Sequence, residues 1–303
     1  MRDSFKKFED AAIKVYAISY DDQEVLVEFG EKQNIPYTLL SDIDSEVINS
    51  YGILNDQVAP EDGFFYGIPY PGVYVTDEEG KVIAKYFHGT YKKRDSAEML
   101  IAAATGNIAI DEAAPIARGG DDDIKLTATI HGGSGNLRQG IVREVLVRFD
   151  LAEGLHIYGA PVPDGMVATE VTVDGPPGLI VEAPILPSSA PLTLPGTGVT
   201  LQVWSGVVDI RVPIYAASEL ATEVAPLDWE SVPVQVTVRY QACDHETCLL
   251  PRTEKFTLEA ALDVTEVPAI PIHQGHGQRE GNYDGTPHWK RLLKRKAPSR
   301  RPI

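Results

Sequence analysis

The run Val232-Pro233-Val234-Gln235-Val236-Thr237-Val238-Arg239-Tyr240-Gln241-Ala242-Cys243-Asp244-His245-Glu246-Thr247-Cys248 decides how this chain is read. Val234, Val236 and Val238 alternate with Gln235, Thr237 and Arg239, the period of a strand with one buried and one wet face. The strand delivers Cys243 at its end. Cys243 and Cys248 are the only two cysteines of the chain, with four residues between them. A bridge across so small a loop stabilises by only about 2 kcal/mol, and a structural bridge in a sandwich usually joins strands of different sheets. A pair that cycles between dithiol and disulfide needs such close neighbours, because the second thiol must resolve a mixed disulfide. The run Cys243-x-His245-x-x-Cys248 also offers two thiolates and an imidazole to zinc, but structural zinc wants four ligands and the other histidines form no second close pair. Redox pair, structural bridge and zinc site are the three readings, and the expectation is a redox pair with no metal and no cofactor.

Outward from this strand the texture is β throughout. Short alternating runs at 125–131, 141–150, 168–173, 179–182, 200–204, 207–214 and 254–260 are separated by Gly and Pro turns, which predicts an antiparallel sandwich over residues 124–264. Residues 106–123, with Ala113-Ala114-Pro115 and Arg118-Gly119-Gly120-Asp121-Asp122-Asp123, hold turn formers and like charges and read as a linker. Residues 265–303 keep no steady period and read as a disordered basic tail.

Upstream of the linker the pattern changes. A helix end at 2–12 is followed by a strand, Ile13 to Ser19, and by a helix from about Asp22 to Gln33 with Val25, Leu26 and Phe29 at helical spacing and Pro36 beyond its end. A strand Tyr37 to Leu40, a helix after Asp42, a hairpin over 72–77 and 81–87 turned at Glu78-Glu79-Gly80, and a helix from about Arg94 to Ala104 complete the order. That order implies a mixed sheet covered by helices.

At 303 residues and a net charge of −17 the chain is long enough for two domains and too acidic for general nucleic-acid binding, so nucleic acid is not an expected partner. The positive charge gathers in the tail, at Lys290, Arg291, Lys294, Arg295, Lys296, Arg300 and Arg301. No apolar run is long enough to cross a bilayer, and the residues after Met1 lack the apolar core of a signal peptide.

Two resemblances sharpen this. Val15-Tyr16-Ala17-Ile18-Ser19-Tyr20-Asp21, Leu39-Leu40-Ser41-Asp42 and Tyr70-Pro71-Gly72-Val73-Tyr74-Val75-Thr76-Asp77-Glu78-Glu79-Gly80-Lys81-Val82 resemble the redoxin or peroxiredoxin (AhpC/TSA) family of thioredoxin-like α/β folds, over residues 1–105. That family carries its redox cysteine at the start of the helix whose tail this sequence begins with. The resemblance therefore implies an incomplete domain, without the first strands and catalytic turn, and either a longer native chain or a domain decayed into a scaffold. No cysteine precedes Cys243, so as given this part has no thiolate to reduce a peroxide. Pro71 aligns with the family's cis proline, the alternative being an ordinary trans proline in a turn.

Val147-Arg148-Phe149-Asp150-Leu151-Ala152-Glu153-Gly154-Leu155-His156-Ile157-Tyr158, Trp204-Ser205-Gly206-Val207-Val208-Asp209-Ile210 and the cysteine run resemble the N-terminal periplasmic domain of thiol:disulfide interchange protein DsbD. The resemblance implies an immunoglobulin-like fold whose cysteine pair accepts electrons from a membrane-embedded partner and passes them to other proteins, beneath a capping loop. It implies that Cys248 forms the mixed disulfide and Cys243 resolves it. Tyr158 is a candidate for the capping aromatic, against a plain core tyrosine. The family more often has five residues between its cysteines, and its membrane and C-terminal thioredoxin parts do not occur here, so an electron donor would act in trans. Asp244 and Glu246 would raise the thiol pKa values and a protonated His245 would lower them. The expected function is a thiol-disulfide oxidoreductase working between partner proteins, periplasmic or otherwise extracytoplasmic if a signal peptide lies upstream. The alternatives are a non-catalytic adaptor with a structural disulfide, or a Cys/His zinc site.

Overall fold

The computed structural model describes residues 1–58, 67–90, 92–193, 198–222, 229–244 and 246–264. The chain divides into two compact units, Met1–Ala109 and the residues from Ile110 onward.

In the first unit, α1 (Phe5–Asp10), β1 (Tyr16–Ser19), α2 (Gln23–Gln33), β2 (Thr38–Ser41), α3 (Glu46–Ser50), β3 (Gly72–Thr76), β4 (Val82–Phe87), β5 (Arg94–Asp95) and α4 (Ala97–Thr105) follow in the expected order. Helix α2 starts where the Asp22 carboxylate accepts the Val25 N–H at 3.0 Å, and it stops at Asn34 in the left-handed region, φ 50°. Helix α4 runs from a Ser96 cap to Gly106, φ 68°. The α2 crossover lays β1 parallel to β2, and the turn at Asp77–Gly80 folds β3 antiparallel onto β4. These remain two separate two-stranded sheets, and among the described residues no ladder joins them into the single mixed sheet the sequence implied. Each connecting device is local and neither reaches the other pair. Among the described residues, Phe8, Val75, Ala97 and Leu100 form its buried cluster, with Ile13, Val15, Val73 and Tyr86 packed against it.

Pro71 is a second correction. Its peptide bond is trans, and the cis bond among the described residues is Ala160–Pro161. Leu54 bridges Pro69, and the Tyr70 N–H donates to Ile53 O at 2.7 Å, so the chain enters β3 through an extended pairing.

The second unit holds β6 (Ile116–Gly120), β7 (Ile124–His131), β8 (Leu137–Arg138), β9 (Ile141–Leu151), β10 (His156–Tyr158), β11 (Glu170–Asp174), β12 (Leu179–Val181), β13 (Ala190–Thr193), β14 (Thr200–Ser205), β15 (Val207–Ala216), α5 (Ser218–Ala221), β16 (Ser231–Tyr240), β17 (Ala242–Cys243) and β18 (Arg252–Asp263). A layer ordered β12-β15-β9-β7-β6 and a layer ordered β11-β16-β18-β8 share one apolar core. Val145, Val147 and Phe149 of β9 and Ile210, Val212 and Ile214 of β15 meet Val234, Val236 and Val238 of β16 in that core. Fully burying each such side chain contributes about 1.5–3 kcal/mol, which makes this core the main source of the unit's stability.

Part of the stretch read as linker is in fact the strand β6, antiparallel to β7. Its glycines, taken for turn formers, permit close packing instead. A Cβ on Gly119 would fall 2.2 Å from the Glu254 carboxylate and 2.8 Å from the Phe256 ring, and Gly120, φ 87°, makes the tight turn toward Ile124. The basic tail read at 265–303 lies outside the described residues.

A third, smaller sheet ordered β13-β14-β10-β17 positions the cysteines. It is built from overhangs of both layers. Strand β9 turns at Gly154, φ 86°, and continues as β10; β15 is preceded across Gly206, φ 67°, by β14; β16 continues past Gln241 as β17. Strand β10, from one layer, pairs with β17, from the other, so the two layers are joined at the cysteine end of the sandwich.

Candidate functional site

Cys243 and Cys248 are bonded to each other, their Cα atoms 4.0 Å apart across a tight antiparallel bridge. Asp244 closes the turn between them. Its Oδ1 accepts the N–H groups of Glu246 at 2.7 Å and Thr247 at 2.6 Å, and its own N–H donates to Thr247 O at 2.9 Å. The side chain expected to tune the thiols thus shapes their loop, while Glu246 is exposed beside it. His245, the third expected modulator, lies outside the described residues. A zinc site on Cys243, His245 and Cys248 would need two free thiolates, and here both sulfurs are spent on their mutual bond.

The two cysteines differ in exposure. Cys243 is 1% exposed, in an apolar cluster with Tyr158, Leu201 and Val203, whereas Cys248 is exposed and Leu250, two residues on, is 85% exposed. The strand pairing explains the buried side. Cys243 stands opposite His156 in the β10–β17 ladder, and His156 and Ser205 are opposite each other in the β10–β14 ladder. Side chains directly opposite share a face, and residues two apart on a strand share it too. Cys243, His156, Tyr158, Val203 and Leu201 therefore line one face of the small sheet, while Ile157, Ala242 and Trp204 point the other way into the main core.

On that face the His156 ring stands edge-on to the Tyr158 ring at 5.1 Å, and its Nε2 is 2.9 Å from the Tyr158 hydroxyl. Both are buried, and burial raises the Tyr158 pKa above its ordinary value. Tyr158 belongs to a strand of the sheet itself. Gln241 ties the surroundings together: its Oε1 accepts the Val167 N–H at 2.9 Å, and its Nε2 donates to Leu249 O at 3.0 Å. One buried amide so anchors both the segment before β11 and the segment after Cys248. Sequence reasoning assigned no role to His156 or Gln241; the signal available for His156 was its place two residues before Tyr158. Pro71 belongs to the other compact unit.

Comparison with known proteins divides the chain in the same way. Residues 1–85 match the AhpC/TSA family, and residues 136–260 match the family described as thiol:disulfide interchange protein DsbD, N-terminal. The first part is similar to the chloroplastic peroxiredoxin Q of Suaeda salsa, 36% identical over 85 residues covering 28% of this chain and 36% of that protein. It is similar also to that of Arabidopsis thaliana, 37% identical over 81 residues covering 27% and 34%. The chain thus spans about a third of the length of these relatives. Among solved structures, the N-terminal periplasmic domain of ScsB from Proteus mirabilis aligns with 58% of this chain and 55% of its own at 14% identity, TM-score 0.32. With the disulfide in place, this chain joins an AhpC/TSA redoxin domain over residues 1–85 to a domain of the DsbD N-terminal family over residues 136–260 that is equipped for thiol-disulfide redox chemistry.

Proposed function

We propose that the sandwich unit is an electron relay between proteins, in which Cys248 is the sulfur that partners attack and Cys243 is the one that leaves and later resolves. The observation that carries this reading is the difference in exposure across a single bond: Cys248 open to solvent, Cys243 at 1%. Exchange proceeds by thiolate attack on an accessible sulfur. The thiolate of a partner dithiol bonds to Cys248 Sγ, the Cys243–Cys248 bond breaks, and its electron pair leaves on Cys243 Sγ. The partner's second thiolate then attacks the mixed disulfide, leaving the partner oxidised and the chain with two thiols after proton uptake. Run against a substrate disulfide, the same steps pass the two electrons on.

The partners in this reading are thiol-disulfide exchange proteins, including a membrane-embedded donor acting in trans. The compartment is extracytoplasmic, where a disulfide formed in the resting state persists. Asp244 and Glu246 place negative charge beside the sulfurs and disfavour free thiolate, which favours reaction with a docked partner over reaction with any passing disulfide. Residues 1–242 contain no cysteine, so peroxide reduction is not assigned to the redoxin-like unit of this chain.

The test uses two variants of the whole chain. Cys243→Ser, which keeps the exposed sulfur, is expected to accumulate a mixed disulfide when offered a partner protein in its disulfide form, the Cys248 thiolate bonding to one partner sulfur as the other leaves as thiolate; Cys248→Ser, which keeps the buried one, is expected to accumulate none. Equal trapping by both would overturn the assignment of roles. A wild-type reduction potential below about −300 mV would assign the bridge to structure instead.

A further inference from the structure

We propose that His156, held by Tyr158, is the group that gives a proton to Cys243 Sγ when that sulfur leaves and takes it back when Cys243 resolves the mixed disulfide. The proposal rests on the relay reading above and adds a proton path to it.

The argument begins with the sulfur that has no water. When Cys248 is attacked, the electron pair departs on Cys243, which clusters with Tyr158, Leu201 and Val203, with Val162, Met166 and Leu192 packed against them, while Asp164, between Val162 and Met166, is exposed. A thiolate in an apolar pocket is disfavoured, so departure is slow unless a proton or a positive charge stands beside the sulfur. The ladder puts one candidate there. His156 is directly opposite Cys243, on the same face, at a position where paired side chains have Cβ atoms about 4.5–5.5 Å apart. It is itself 6% exposed, and its Nε2 is fixed at 2.9 Å from the Tyr158 hydroxyl. A buried imidazole in a β-strand that spends one nitrogen on a buried phenol is a costly arrangement to keep for packing alone, since an apolar residue would fill the same space with no polar group to satisfy.

Other groups on this face do not substitute for it. From β14 come Ser205, Val203 and Leu201, and from β13, opposite Leu201, comes Leu192. Tyr158 is the other titratable group of β10 on this face, and its raised pKa keeps it a neutral phenol at physiological pH. From β17 comes Cys243 itself. The carboxylates that follow it, Asp244 and Glu246, are exposed, and Asp244 Oδ1 already holds two backbone N–H groups of the turn. Among these described residues the imidazole is the one group whose ordinary titration range lies near neutrality.

The balance of the step is simple. In reduction, a thiolate of an external dithiol bonds to Cys248 Sγ, the Cys243–Cys248 bond breaks, and the imidazolium of His156 transfers its proton to Cys243 Sγ, becoming neutral imidazole. In the oxidising direction, imidazole removes the Cys243 proton, the thiolate attacks Cys248 Sγ in the mixed disulfide with a substrate protein, and the substrate thiolate leaves. The sign follows from the charge. Reduction is assisted while His156 is protonated and loses that assistance as pH rises through the imidazole titration.

Dithiothreitol is the probe, and the measured quantity is the rate of disulfide reduction in the full chain, divided by the concentration of dithiothreitol thiolate, from about pH 5 to about pH 9. In the wild type this normalised rate is expected to fall with rising pH through one inflection. In His156→Gln, which can still hydrogen-bond Tyr158 but carries no proton near neutrality, the inflection is expected to vanish and the rate at the acidic end to drop by about 10²-fold, with the two proteins converging at the alkaline end. A defect of packing alone would lower the rate equally at every pH. Tyr158→Phe keeps the ring and removes the hydroxyl that holds Nε2. It is expected to displace the inflection, and it decides the matter should His156→Gln fail to fold. Wild-type profiles in the variants overturn the proton role and leave the relay intact; a wild-type bridge that dithiothreitol does not reduce at any pH overturns the relay and this proposal with it.

Discussion

The two compact units treat their apolar residues in opposite ways. In the sandwich, Val145, Val147, Phe149, Ile214, Val234, Val236 and Val238 are fully enclosed. Among the described residues of the redoxin unit a cluster around Phe8 and Val75 is enclosed, with Ile48 and Met99 buried besides, while Tyr16, Val25, Val27, Phe29 and Leu40 remain open to solvent at 58%, 47%, 60%, 50% and 43%. A residue contributes to stability only through the area it removes from water, so similar apolar content gives the two units unequal stability. The unit that carries the disulfide is the one that can hold a sulfur in a fixed place.

The strongest way to break this comparison is to remove a ring from the enclosed layer. Phe149 is buried and meets Tyr240 edge-to-face at 5.3 Å. Phe149→Ala is expected to cost the sandwich about 3–5 kcal/mol, read from denaturant unfolding by tryptophan fluorescence; a loss under about 1 kcal/mol would show that the layer is not packed as described. Reducing the Cys243–Cys248 bridge is expected to cost about 2 kcal/mol, as suits so small a loop. Unfolding midpoints with and without dithiothreitol measure it, and an effect on the cysteine-free redoxin unit would blur the contrast.

A finer probe is Tyr240. Its hydroxyl donates to Glu254 Oε1 at 3.0 Å, and burial first, then the Glu254 charge, push its pKa up to about 12. An unfolded tyrosine releases its proton near pH 10. Since the folded value is the higher one, the contribution is intact below about pH 10 and is lost as pH rises from there to about 12. Tyr240→Phe is expected to cost about 1 kcal/mol at neutral pH and to flatten this alkaline loss, as shown by paired melts across that range. The smallest effect belongs to the open face. Val27→Ala, at a site 60% exposed, is expected to change stability by no more than about 0.5 kcal/mol. A loss of about 2 kcal/mol in a urea titration would mean that this face is covered in solution.

The same contrast governs what the sequence could reveal. Strand β16 was legible because one of its faces is enclosed and the other wet, so Val234, Val236 and Val238 stand out by period. All three residues of β10, His156, Ile157 and Tyr158, are buried, so no alternation marks it as a strand. The β10–β17 pairing is set by two overhangs meeting across more than 80 residues of chain, which no local pattern encodes. Strand β6 hid behind glycines that resemble a turn until their neighbours Glu254 and Phe256 are seen. On α2 the helical spacing of Val25, Leu26 and Phe29 was read correctly as a helix, yet Leu26 alone of the three is buried. At the site, the cysteine pair and Tyr158 could be singled out from sequence, whereas the use of Asp244 as a turn clamp depends on backbone geometry that composition does not carry.

Because β10 is an extension of one leaf and β17 of the other, the disulfide is enclosed at its Cys243 end and open to solvent at its Cys248 end. Cys243 is stitched into the ladder, whereas Cys248 is exposed, with Leu249 after it held by Gln241. In the relay proposed above, breaking and remaking the bond would leave the ladder around Cys243 in place. Under that proposal the frame that aims the sulfur would outlast each change of oxidation state.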